Sequence, residues 1–136
     1  MHEIKEAQRL SMLNRAITIL AEEPEDEGAP TRYAIRVAIP PKPGSDVLAV
    51  ELPFQRGAVG ADGSNINGIS DEALIEVLID RLKVFQAGKW ACETNRTALS
   101  HLEKALAALE DRTVKRRSAG VEGTTNHMPG ERGHAN

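Results

Sequence analysis

Four cations crowd the end of a leucine-bearing stretch: Arg112, Lys115, Arg116 and Arg117. On a helix, Arg112 and Arg116 lie four apart and project from one face. A guanidinium fork is well shaped to capture phosphate or carboxylate. A plainer role stands against it. Cations in a last helical turn complement the helix dipole, at ~0.3–1 kcal/mol each. The sequence leaves these two readings level. Given an aromatic ring to stack on, such an arginine pair can hold a purine phosphate.

Other candidates for chemistry are weaker. His101 faces away from the leucines, and His2, His127 and His134 lie toward the two ends. No HExxH and no histidine pair at ligand spacing is present, which argues against metal catalysis. Ser100 and His101 are helical neighbours pointing about 100° apart, so they are no nucleophile–base pair. Glu103 and Glu110 share a helical face and could act as acid and base, but solvated helix carboxylates are far commoner. Cys92 is the only cysteine, which excludes an intrachain disulfide and a cysteine metal cluster. Its default role is a small buried hydrophobe in a reducing cytosol. The acidic run at 22–30 lacks the alternating spacing of a calcium loop. The glycines after Arg56 lack the frame of a phosphate-binding loop. No catalytic constellation emerges.

The elements that must position these residues centre on 70–118, read as a helical hairpin. Ser70 caps a first helix, with Asp71 and Glu72 at its positive end. Leu74, Ile75, Leu78, Ile79, Leu82 and Phe85 give it a wide apolar face. Gly88 reads as the residue of positive φ just past its C-terminus. The second helix is expected from about Lys89 to about Arg117. Leu99, Leu102, Leu106 and Leu109 make a coiled-coil-like seam that extends to Cys92, Asn95 and Thr113. Asn95 on that seam either sets register at the hairpin end or contacts a ligand, because an unsatisfied amide there costs ~1–3 kcal/mol. The helices would measure about 24 Å and about 40 Å. The last turns of the second therefore need cover from the front of the chain or from another protomer.

Ahead of the hairpin, residues 1–21 are expected to form an amphipathic helix, through Leu10, Leu13, Ile17 and Leu20. Residues 22–31 read as an acidic linker. Strands are expected at 32–39 and 46–52, paired as an antiparallel β-hairpin, with a loop continuing to 69. Arg36 falls on its less apolar face, where simple solvation is the commoner fate. Residues 119–136 read as a loose polar tail. The fold class is α+β, in a single domain with tails. Aromatic residues make up 3% of the 136 and the net charge is −3. The core is therefore modest and oligomerisation would supplement it. Net negative charge argues against nucleic-acid coating. The absence of a spanning or signal-like apolar run argues against a membrane and for the cytoplasm.

The segments NGISDEALIEVLIDRL, FQAGKWAC, Asn95, LEKAL, DRT and GVEGT, in this order and spacing, resemble a phage family. It is the anti-CBASS/Thoeris anti-defence helical-hairpin family, whose members sequester immune signalling nucleotides. The likeness runs from Phe54 to Thr124 and is nearer the Thoeris-type branch, which carries strands before the hairpin. It implies a binder without catalysis and without a cofactor. The implied ligands are a glycocyclic ADP-ribose isomer made by a TIR-domain enzyme, or cyclic di- and trinucleotides in separate pockets. It implies a homo-oligomer, a dimer at least and up to a hexamer, in the host cytoplasm. It also implies roles for six residues. Phe85 stacks on a purine, Asn95 makes a polar contact, and Arg112 and Arg116 supply cations, with Arg56 and Arg36 matching arginines of the strand region. Lys89-Trp90 stands where the family usually has Pro or a small residue followed by Phe or Tyr. Gly123-Thr124-Thr125 stands where it has Gly-Thr-His.

Phe85 belongs to the bend, whereas Arg112 lies roughly 33 Å along a straight helix. One nucleotide cannot touch both within a chain, so a shared pocket requires two protomers. Two rival readings are a phosphodiesterase, for which no activated water is provided, and a purely structural oligomerisation module.

Overall fold

Alternating residues in the first half of the chain build a sheet. The computed structural model describes residues 1–24, 28–38 and 46–120. Strands β1 (His2–Ile4), β2 (Ile17–Ala21), β3 (Arg32–Ala38) and β4 (Asp46–Pro53) form one antiparallel sheet in the order β1-β2-β3-β4. The registers Ile19↔Ile35 and Ile35↔Val50 align Ile17, Ile19, Tyr33, Ile35, Val37, Val50 and Leu52 on one face. Tyr33 and Phe54 meet edge to face at 5.5 Å. Pro53 ends β4, an edge strand, where its missing N–H is tolerated.

The β3–β4 pair was expected; the N-terminal half of the sheet was not. The amphipathic helix anticipated over 1–21 is replaced by β1, a single turn α1 (Met12–Arg15) and β2. The apolar spacing there fits a helix, yet Ile17, Thr18 and Ile19 are β-branched and find a ladder partner in β3. Long-range pairing overrides a pattern that is ambiguous over five residues. Of the expected stripe, Leu10 and Leu13 are exposed, as is Met12 beside them, while Ile17 and Leu20 are half-buried in β2. Arg9 takes a φ of 55°, and its guanidinium donates to the Ile4 carbonyl at 3.0 Å, pinning the β1–α1 connection.

The second part of the chain is the helical hairpin of α2 (Asp71–Gln86) and α3 (Glu93–Ser118). The chain divides into two units, Met1–Arg56 and Gly57–Asn136. Ile79 is buried and Ile75 and Leu82 are half-buried on α2, matched by half-buried Leu99, Leu102, Leu106 and Leu109 on α3. The expected seam is therefore the packed one. Residues 39–45 between the two expected strands, part of the acidic linker and the tail from 121 on, with Gly123-Thr124-Thr125, lie outside the described residues.

Candidate functional site

The bend between α2 and α3 holds two of the residues singled out. Ser70 starts α2 as expected, its Oγ accepting the Ala73 N–H at 3.1 Å. Fifteen positions on, Phe85 lies 37% exposed at the helix end, with the Arg81 guanidinium 5.6 Å from its ring centre. An arginine one turn earlier thus already covers one face of the ring.

Gly88 does not close the helix in the way its type suggested. Positive φ among the described glycines occurs at Gly57, Gly63 and Gly120, and α2 ends on Ala87 at φ −81°. The Gln86 side chain does that work instead. Its Nε2 donates to the Cys92 carbonyl at 3.1 Å, and its Oε1 accepts the Cys92 N–H at 3.0 Å. This two-point clamp spans the loop 87–91, within which the Ala91 N–H reaches the Gly88 carbonyl at 3.3 Å. Helix α3 consequently begins at Glu93, later than the expected Lys89, and Lys89 and Trp90 belong to the loop.

Cys92 is exposed, not buried, and caps α3. Its Sγ accepts the Asn95 N–H at 3.4 Å, a weak substitute for a hydroxyl cap. Asn95 sits in the first turn, half-buried at the end of the seam. Its side-chain amide has no partner among the described residues, and contact with solvent spares it the cost of full burial. Phe85 and Asn95 therefore flank the two feet of one clamp.

Arg112 and Arg116 occupy the far end of the hairpin. Arg112 is half-buried, whereas Arg116 is only 8% exposed and is engaged by contacts within the chain. The 4-3 spacing that runs through Leu109 and Thr113 continues to Arg116, which places it on the seam. The chain itself thus covers part of the end of α3. Lys115 is solvated and pairs with Asp111 at 2.8 Å; that hydrogen bond, and then the carboxylate charge, raise its pKa. Arg117 is exposed on the surface and has partners of its own.

Between α2 and α3, near this end, lies an open groove of about 350 Å³ lined by Glu72, Glu76, Leu106, Glu110, Thr113 and Val114. Its three carboxylates would repel a phosphate. No pattern in the sequence points to this groove, because it needs the register of α2 on α3. Arg36 is exposed on β3 beside Thr18 and Ala49 in the ladder, and Arg56 is exposed at the end of the first unit. Both are engaged by other groups of the chain. No cluster of three or more His, Cys, Asp or Glu among the described residues could hold a metal ion, and no described helix is long and apolar enough to cross a membrane.

An α+β chain with a ring-bearing helical bend and a cationic far end is the class that these features define. No family model matches it. It is similar to Thoeris anti-defense 1 of Bacillus phage SBSphiJ7, with 44% identity over 71 residues, 52% of this chain and 49% of that protein. The chain thus spans about half the length of the curated relative it matches. That identity supports the Thoeris-type anti-defence likeness carried by the hairpin motifs.

Proposed function

We propose that this chain is a phage anti-defence protein that sequesters an immune signalling cyclic nucleotide in the host cytoplasm and does not cleave it. Glycocyclic ADP-ribose is the first candidate ligand, with cyclic di- and trinucleotides next. The observation that carries the reading is the 44% identity to a Thoeris anti-defence protein. The half-exposed Phe85 ring supports it, since a purine can stack on the face that Arg81 leaves open. Arg112 of a second protomer would cover the purine's other side. Asn95 would hydrogen-bond ribose or phosphate, and Arg116, Arg56 and Arg36 would add positive charge toward the phosphates.

Incubating the protein with ligand, denaturing it by heat and recovering the ligand by mass spectrometry tests the absence of cleavage. Intact ligand is expected, and a hydrolysis product would replace this reading with a phosphodiesterase. The second reading, a structural oligomerisation module, is favoured by the exposed Val77, Leu78 and Val84 on α2. Calorimetric titration with glycocyclic ADP-ribose and cyclic dinucleotides separates the two, because heat from none of them leaves only the structural module.

A further inference from the structure

Trp90 is the chain's only tryptophan, and it is 66% exposed. An indole presents a large apolar surface and gains most when that surface is covered. This one is not on a loose tail. The Gln86–Cys92 clamp fixes both ends of its loop, and the Ala91–Gly88 backbone bond closes the interior. Ordering the ring beforehand lowers what a ligand loses on binding it. The Lys89 ammonium lies 5.3 Å from the ring centre, over one face, leaving the opposite face for a planar partner.

The same arrangement occurs five residues earlier, with Arg81 over Phe85. The chain has four aromatic residues: Tyr33 and Phe54 meet edge to face, and the other two stand at this bend. A flat ring backed by a cation matches a base joined to a phosphate.

We propose that Trp90, backed by Lys89 and held by the Gln86 clamp, is a second base-stacking contact of the hairpin bend for a nucleobase carried on a phosphate-bearing ligand. This rests on the nucleotide-binding reading above. Being the sole tryptophan, Trp90 is its own reporter. Wild-type protein is titrated with cyclic ADP-ribose and, separately, with cyclic di-AMP, by calorimetry and by tryptophan emission. At least one probe is expected to quench emission along the same saturation curve as the heat. Trp90→Ala should weaken that probe by about tenfold, and Trp90→Phe should restore most of the affinity, with helical circular dichroism unchanged in both. Heat with unaltered emission, and wild-type affinity in Trp90→Ala, would remove Trp90 from the site and leave the nucleotide reading standing. No heat from either probe would overturn this assignment together with its basis. If Trp90→Ala instead loses self-association in sedimentation at unchanged nucleotide affinity, the indole is a protein anchor and the proposal fails.

Discussion

Arg112 and Arg116 show how burial separates residues that spacing makes equivalent. Four apart on one helix, they look like a single phosphate fork. The seam, however, turns Arg116 inward, to 8% exposure with partners in the chain, while Arg112 stays half-buried at its flank. Removing a buried charged donor strands whatever it satisfied, at about 1–3 kcal/mol. Arg116→Ala should therefore lower the urea midpoint with the slope unchanged. Arg112→Ala should leave the unfolding free energy within ~0.5 kcal/mol of wild type and, on the proposed function, weaken nucleotide binding at least tenfold by calorimetry. Equal destabilisation by the two substitutions would make Arg112 structural as well.

At the scale of elements, the bend depends on one side chain more than on its backbone. Gln86 satisfies both backbone groups of Cys92, and the loop contains no left-handed glycine to set its path. Gln86→Ala leaves a donor and an acceptor to water and frees the loop. Gln86→Glu keeps the acceptor for the Cys92 N–H but sets a carboxylate against its carbonyl. Both variants should speed amide exchange at Cys92 and Asn95 while the middle of α3 stays protected, and Glu should lie between Gln and Ala at Cys92. Uniform acceleration along α3 would mean that the clamp supports the whole hairpin and not the bend alone. Much of this hairpin was legible beforehand: the Ser70 cap and the leucine seam are local patterns that the packing obeys, whereas the expected α2 apolar face packs only in part, with Leu78 and Phe85 left exposed. The clamp was not, because Gln86 carries no periodic signal, Cys92 read as part of the seam, and their pairing depends on the path of the loop between them. Residues 1–21 misled for a related reason. Ile17–Ala21 is a strand because β3 is there to pair with it, and a stripe of leucines cannot report a partner some fifteen residues away. For the candidate site, the placement of Phe85 and Asn95 at one end and the arginines at the other followed from helix length. The inward turn of Arg116 was missed: it takes one more step of the seam beyond Thr113, whereas the four-residue spacing reads Arg116 and Arg112 as an outward pair. The exposure of Trp90 could not be read without the loop.

For the whole molecule, the separation between the bend and the cationic end is the central quantity. Asn95 and Arg112 stand about 17 positions apart on α3, roughly 26 Å at 1.5 Å per residue. A two-fold axis across the hairpin, about 13 Å from each level, would bring the bend of one protomer alongside Arg112 of the other and make two equivalent sites. Such an isologous contact needs a self-complementary apolar patch near the axis. On α2, Val77 and Leu78 fall within about a turn of the midpoint, and they are 56% and 48% exposed. Two adjacent aliphatic side chains left in water at the middle of a hairpin are what a two-fold contact would cover. Little apolar surface is buried in the single chain: Ala21, Ala34 and Ile79 are the only buried hydrophobic residues among those described. Sedimentation should therefore give a dimer or a multiple of it, and not the 14.7 kDa of one chain. Val77→Asp should shift the mass toward the monomer without loss of helical signal, because the side chain is solvent-facing in the single chain. If site and contact are linked as argued, the same variant should lose nucleotide affinity in parallel with its dimer, although Val77 lies far from both Phe85 and Arg112. A monomeric Val77→Asp that binds nucleotide as tightly as wild type would show that one protomer suffices. Phe85 and Arg112 would then have to serve different ligands.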